Sequence, residues 1–264
     1  MLTVKIGVVI PARNEEKRLP LTLKALLNQT VKPYKTIVID DGSTDSTKEV
    51  ALEHGVNVIS LPDRGYRAGG MPVLATTINK GLEALFKENL DYVMILGADH
   101  ILFKDYIEKI VNRMKNPRIV VAGGVILGDR YKARMPRGSG RLINAKWFHK
   151  IGFKYPPWWG FEAWLLFKAE SMGYNYTVVK EAKSLVQRKT GVNPAQMYGW
   201  GKGMNALCYH PAYRIGRIVY SIRHGIKGAA YMLQGSLIEK TRKYTDICNY
   251  VKRITAKRII EIIV

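Results

Sequence analysis

The segment Asp91 to Leu102, DYVMILGADHIL, sets the tightest limit on the fold. Its run Tyr92 to Leu96 shows no alternation of polar and apolar residues. A strand with one wet face alternates. A strand without alternation is buried on both faces, as in a parallel α/β sheet. The run breaks at Gly97 into Ala98-Asp99-His100. Open α/β sheets collect ligands beyond the carboxyl ends of their strands, and this turn falls there. An Asp and a His at such an edge can hold a divalent cation. The plainer alternative is that they cap a helix over Phe103 to Met114.

The residues before this segment repeat the pattern. Val4 to Ile10 reads as a buried strand stopped by Pro11, followed by the polar loop Arg13-Asn14-Glu15-Glu16. Leu19 to Leu27 has helical apolar spacing, and Pro20 suits a first turn. Thr36 to Ile39 is a second strand, ending in Asp40-Asp41-Gly42-Ser43-Thr44-Asp45. Ser43 or Thr44 can cap a helix over Thr47 to His54, and Val56 to Leu61 is a third strand. The loop Arg64 to Gly70 is basic and glycine-rich, and a helix over Val73 to Lys87 leads into Tyr92. Strands and helices alternating over such short connections predict right-handed βαβ units and a mainly parallel sheet flanked by helices.

Beyond Met114 the spacing loosens. Ile119 to Ile126 is a strand split by Gly123-Gly124, and Gly128 to Arg141 is a basic segment with Arg130, Lys132, Arg134, Arg137 and Arg141. The aromatic loop Tyr155 to Phe161 delivers Glu162 to a helix ending near Met172-Gly173, and Tyr174 to Val179 is a strand. From Tyr213 the apolar residues Ile215, Ile218, Val219, Ile222, Ile226, Ala229, Ala230, Leu233 and Leu237 form one helical stripe. Between Ala212 and Val264 there are 11 Lys or Arg against 3 Asp or Glu. Basic amphipathic helices suit an anionic membrane surface. Packing of the stripe on the rest of the protein is the equal alternative. The expected division is 1–211 for the main domain and 212–264 for the helical extension.

The 264 residues carry a net charge of +21, which implies an anionic partner. Nucleic acid is disfavoured, because no binding motif accompanies the charge and the acidic turns would repel a phosphate backbone. Cys208 and Cys248 have neither metal-ligand nor framework spacing, so the expectation is a reduced compartment and no disulfide. Neither a signal peptide nor a run of roughly 20 apolar residues is found. The expected location is cytoplasmic, peripheral at the inner membrane face.

Pro11 to Glu15 (with Ala12, Arg13 and Asn14 between), Asp40-Asp41, Arg64 to Gly70 and Ala98-Asp99 converge on one sheet edge. A carboxylate there accepts the ring N–H that uracil and guanine carry and adenine and cytosine lack. Arg64 and Arg67 can pair with a diphosphate, and Asp99 can hold a bridging metal.

The motifs PARNEE after the first strand, VIDDGSTD after the second, an Asp-containing turn after a third, and a Gly-Phe-Glu helix ending in Gly-Tyr resemble family 2 glycosyltransferases of the GT-A fold. The similarity covers about residues 4 to 180. It implies a Rossmann-like α/β fold and transfer of a sugar from a nucleotide-diphosphate donor, with Mn²⁺ or Mg²⁺ and with inversion. It implies that Pro11 to Glu15 and Asp40 hold the nucleoside and that Asp99 joins the metal site. Two departures stand out. The family's Asp-x-Asp is Gly97-Ala98-Asp99 here, so the metal is held weakly, recruits His100, or gives way to Arg or Lys. The family's base position falls on Glu162, with Phe161 before it. Glu162 is the expected base; the plain alternative is a helix-start acid. Trp158 and Trp159 are expected to contact a sugar or lipid acceptor, or else to pack. Arg137, in the basic run, is expected to meet the diphosphate or an anionic acceptor. The acceptor is expected to be lipid-linked or a glycan. The competing readings are a catalytically weakened scaffold, a nucleic-acid-binding protein and a nucleotidyltransferase.

Overall fold

A computed structural model of the chain describes residues 4–128, 135–188, 194–238 and 240–263. In chain order its elements are β1 (Ile6–Ala12), α1 (Leu19–Leu27), β2 (Lys35–Asp40), α2 (Thr47–Glu53), β3 (Asn57–Ser60), α3 (Val73–Leu85), β4 (Tyr92–Ile95), β5 (His100–Leu102) and α4 (Tyr106–Met114). They continue as β6 (Ile119–Ile126), β7 (Arg141–Asn144), α5 (Ala145–Lys150), α6 (Phe161–Ser171), β8 (Asn175–Val186), α7 (Pro194–Ala206), α8 (Pro211–Ser221), α9 (Ile226–Leu233) and α10 (Cys248–Ile263). The chain forms two compact units. One comprises Met1–Arg67, Thr76–Tyr155 and Gly173–Lys189; the other comprises Ala68–Ala75, Pro156–Met172 and Thr190–Val264.

The first unit holds the sheet, in the order β3-β2-β1-β4-β7-β6-β8-β5. β1 is parallel to β2 and β4, and β2 is parallel to β3. β7 runs antiparallel to β4 and β6 and makes the sheet mixed. This is the α/β architecture expected from the unbroken apolar strands. Ile6, Val8, Val9 and Ile10 of β1 are fully buried. Each such side chain contributes about 1.5–3 kcal/mol, and α1 and α4 bury their own apolar residues in the same core. α4 buries Tyr106, Ile107, Ile110, Val111 and Met114, one helical stripe, against that core.

Three differences from the sequence reading concern β1, β6 and β8. β1 runs through Pro11 to Ala12. Its pairing with β4 ends at Val9, so Pro11 has a sheet neighbour on the β2 side alone and its missing N–H breaks no ladder bond. β6 is one strand, with its register on β8 shifting between Gly123 and Val125. A Cβ on Gly124 would collide with the Ala182 carbonyl, which explains the glycine. β8 extends to Val186, past the expected end at Val179.

The second unit is helical. Met197, Met204 and Met232 form one buried cluster in it, with Tyr209 and Ile218 packed on them. The expected single C-terminal stripe is divided: α8 ends in a 3₁₀ turn at Ile222–His224, and Gly225, at φ 110°, is the N-cap of α9. Glycine alone takes that backbone readily. The expectation of unpaired cysteines is corrected: Cys208 and Cys248 form a disulfide. Helix packing brings residues 40 apart to a Cα separation of 5.1 Å, which spacing does not reveal. No described helix is long and apolar enough to cross a membrane.

Candidate functional site

In the first unit, β1, β2 and β4 end side by side, and their turns are stitched together. Arg13 donates to the carbonyls of Asp41 (2.6 Å) and Gly42 (2.9 Å) and to the Asp63 carboxylate (2.5 Å). Asn14 accepts from the Thr44 N–H at 2.9 Å and donates its own N–H to the Ser43 hydroxyl at 3.0 Å. Its φ of 54° is one that Asn tolerates better than most residues. Gly42, at φ 70°, lies so close to Pro62 and Asp63 that a Cβ would come within 2.7 Å of the Asp63 nitrogen. Arg13 and Asn14, expected as nucleotide contacts, also tie the turns of the site to one another. Pro11 and Ala12 are the last paired residues of β1, opposite Ile39 and Asp40.

Four carboxylates stand on this edge. Asp40 is 5% exposed and accepts the Ser43 N–H at 3.0 Å. Asp41 is also buried; it accepts from the Thr77 hydroxyl at 3.1 Å and pairs with Arg64. Burial raises the Asp41 pKa, and Arg64 and the Thr77 bond draw it back. Glu15 is buried and pairs with Arg67 (3.0 Å), Arg18 (3.5 Å) and Arg188. Asp99 pairs through Oδ2 with Arg188 Nε at 3.0 Å. Burial also raises the Asp99 pKa, countered by its own backbone N–H, Arg18 and Arg67. The Ala98 carbonyl accepts from the Thr22 hydroxyl at 2.8 Å, fixing the turn from behind.

The expected metal pair, Asp99 with His100, is not assembled. His100 opens β5, pairs opposite Val186 and is 1% exposed. Its Nδ1 lies 2.6 Å from the Ser139 hydroxyl, and its ring stands edge-on to Tyr106. Burial lowers its pKa to about 4, so the imidazole is a neutral core group. Gly97 donates its N–H to the same Ser139 hydroxyl at 2.7 Å. A Cβ at Gly97 would sit 3.1 Å from that hydroxyl, so the turn has little room for the absent carboxylate. Among the described residues, no three His, Cys, Asp or Glu side chains converge on a cation site. Asp99 remains as a lone candidate ligand, already paired with an arginine, and the residues present do not fit a conventional divalent site.

Arg188 was missed in the sequence. It follows the end of β8, where residues 180–186 read as polar. The signal was a period-two alternation: Ala182 and Ser184 are buried, while Glu181 and Lys183 are exposed. Arg130, Lys132 and Arg134 lie outside the described residues. Arg137 has an exposed side chain, and its carbonyl accepts from Arg141 Nε at 2.8 Å.

In the second unit, Glu162 is the exposed second residue of α6, whose N-cap is Gly160 at φ 82°. Trp158 lies between the Tyr244 ring (5.2 Å) and the Arg242 guanidinium (4.1 Å), and its carbonyl accepts the Tyr244 hydroxyl at 3.1 Å. Trp159 stands edge-on to Tyr198 at 6.2 Å, with Lys202 6.0 Å from its ring. Both tryptophans are half-buried. They pack within the loop that carries Glu162.

Residues 7–167 match the family model described as Glycosyl transferase family 2. A 4,4'-diaponeurosporenoate glycosyltransferase of Staphylococcus haemolyticus is 51% identical over 59 residues, which is 22% of this chain and 16% of that protein's length. The match thus spans under a fifth of that relative. A mannosyltransferase from Pyrobaculum calidifontis, solved with GDP-Man and Mn²⁺, superposes with a TM-score of 0.61 at 15% identity, over 96% of this chain and 73% of that one. Glucosyl-3-phosphoglycerate synthase from Mycobacterium tuberculosis, solved with Mn²⁺, UDP-glucose and phosphoglyceric acid, gives a TM-score of 0.57 at 16% identity, over 76% of this chain and 79% of that one. These likenesses establish the GT-A fold.

Proposed function

We propose that this chain, which belongs to glycosyl transferase family 2, transfers a sugar from a UDP- or GDP-sugar to a lipid-linked or glycan acceptor with inversion. One observation carries the donor half: Asp40, buried at the end of β2 opposite Ala12, is fixed through a single oxygen by the Ser43 N–H. That carboxylate suits the ring N–H of uracil or guanine. Glu15, Arg67 and Asp99 on the same edge suit the ribose and diphosphate end. Residues 1–211 are the transferase part and 212–264 the extension.

Glu162 is the base. It takes the proton of the acceptor hydroxyl while that oxygen forms a bond to the anomeric carbon. The bond from that carbon to the phosphate oxygen breaks in the same displacement, and the nucleoside diphosphate leaves with the electron pair. A single displacement inverts the centre. Trp158 and Trp159, both half-buried, contact a sugar or lipid acceptor, and Arg137 meets an anionic one. Solved members of the fold hold Mn²⁺ or Mg²⁺. Asp99 is the residue that would face such an ion here, and no step above passes through it.

Calorimetric titration with UDP, GDP and CMP tests the donor. Selective binding of UDP or GDP is expected, with Asp40→Ala weakening it about tenfold or more. Equal binding of CMP, or none of the three, overturns the assignment.

The extension supplies a contact with an anionic membrane surface. Ile215, Val219, Ile222 and Ile226 are 53%, 60%, 49% and 78% exposed. Arg217, Arg223 and Lys227 are exposed among them, and apolar residues flanked by cations match an anionic lipid surface. Phosphatidylcholine vesicles containing phosphatidylglycerol are expected to co-sediment the protein, pure phosphatidylcholine vesicles much less, and Ile226→Glu about tenfold less. Equal partition of wild type and Ile226→Glu would remove the contact.

A further inference from the structure

We infer that Arg188 supplies the positive charge that faces the donor's diphosphate, at the place where relatives of the fold hold a divalent cation. The inference rests on the nucleotide-sugar reading above.

Four observations lead to it. First, Arg188 joins two carboxylates from different strand ends. Its Nε bonds Asp99 at 3.0 Å and its NH2 pairs with Glu15. The guanidinium is thus fixed in plane from two sides, as a fork that recognises phosphate must be. Only two of its five N–H groups are spent in those bonds. Second, the local charge already favours an anion. Arg18, Arg67 and Arg188 surround Glu15 and Asp99, so the cluster carries one more positive than negative group. A bare metal site has the opposite balance, with excess carboxylate awaiting the cation.

Third, the ligands of a metal site are missing one by one. Position 97 is glycine, with the Ser139 hydroxyl bonded to its N–H and 3.1 Å from where a Cβ would stand. His100 is turned into the core against Ser139 and Tyr106. Asp99 has one side chain to offer, and Arg188 is on it. A divalent ion at Asp99 would have to displace or repel that guanidinium. Fourth, Arg188 is reachable: its side chain is 28% exposed and that of Asp99 is 26% exposed. An anion can therefore approach the fork from solvent.

The missing first carboxylate and the arginine are one exchange. A metal clamps a diphosphate with two positive charges held by acids; here a guanidinium, itself held by Asp99 and Glu15, makes that contact with hydrogen bonds.

The test is calorimetry with UDP and GDP on wild type, Arg188→Ala and Arg188→Lys, each in EDTA and in Mn²⁺, with UMP and GMP as controls. Wild type is expected to bind one diphosphate in EDTA, with affinity changing less than about threefold on adding Mn²⁺. Arg188→Ala is expected to lose about tenfold or more for the diphosphate and less than about threefold for the monophosphate. Arg188→Lys is expected to recover part of the loss, because charge returns without the fork. Wild-type binding that requires Mn²⁺ overturns the inference and needs no variant. Full diphosphate affinity in Arg188→Ala overturns it too. If no nucleotide binds wild type under either condition, the nucleotide-sugar reading itself falls.

Discussion

Glu162→Gln is expected to lower turnover of a UDP- or GDP-sugar by about 10²–10⁴-fold, the range a positioned general base contributes. Nucleotide affinity should stay within about twofold, because none of the residues assigned to the nucleotide lies on α6. Gln keeps the length and shape of Glu but cannot take a proton. The first turn of α6 is set by Gly160, in a conformation other residues adopt rarely, and a Cβ there would come 2.9 Å from a Leu207 methyl carbon. Hydrolysis of the donor by water is a sufficient assay, since water needs the same deprotonation as a sugar or lipid hydroxyl. Glu162→Asp should retain more activity than Glu162→Gln. Turnover of Glu162→Gln equal to wild type would leave Glu162 as a helix-start acid only.

Removal of the Cys208–Cys248 bond should be the largest single loss of stability available without touching the core. The bond closes a loop of 40 residues. Chain entropy assigns about 4 kcal/mol to a closure of that length, as an upper figure. The bond ties the turn after α7 to the first residue of α10. Between them, Tyr244 packs on Trp158 and Trp164, and Asp246 accepts from Lys168 at 2.9 Å and from Trp164 Nε1 at 3.3 Å. Loosening the loop therefore loosens the packing around α6. Urea unfolding followed by tryptophan fluorescence should give a lower midpoint for the Cys208→Ser/Cys248→Ser double variant, and for wild type in dithiothreitol. Identical midpoints in all three samples would show that the bond contributes nothing.

Some of this was legible in the sequence and some was not. The strands β1, β2 and β4 were, because burial on both faces leaves an unbroken apolar run. The turns after them were as well, since Asp-Asp-Gly-Ser marks a chain reversal wherever it falls. The direction of the His100 side chain was not. It depends on β5 pairing with β8, a contact between residues 86 positions apart in sequence, such as His100 and Val186. Arg188 was hidden for the same reason: its meaning comes from Glu15 and Asp99, which arrive from other strands. The disulfide had no local signal at all. The bonds by which Arg13 and Asn14 hold the neighbouring turns were not legible, since a polar loop residue aimed at a ligand and one aimed at its own scaffold look alike in sequence.

The order of the sheet has a consequence for handling the protein. Its two outermost strands are its shortest described ones or nearly so: β3 has four residues and β5 three. An edge strand offers unpaired amides and carbonyls to any other chain, and the hazard grows with its length. β6 lies between β7 and β8, and β8 is paired along most of its length with β6 and at Ser184–Val186 with β5. With like charge on every copy adding repulsion at low salt, edge-to-edge stacking finds little to hold. Concentrated solutions should therefore fail first through the apolar face of α8 and α9, and an anionic detergent or lipid should be the additive that keeps them clear.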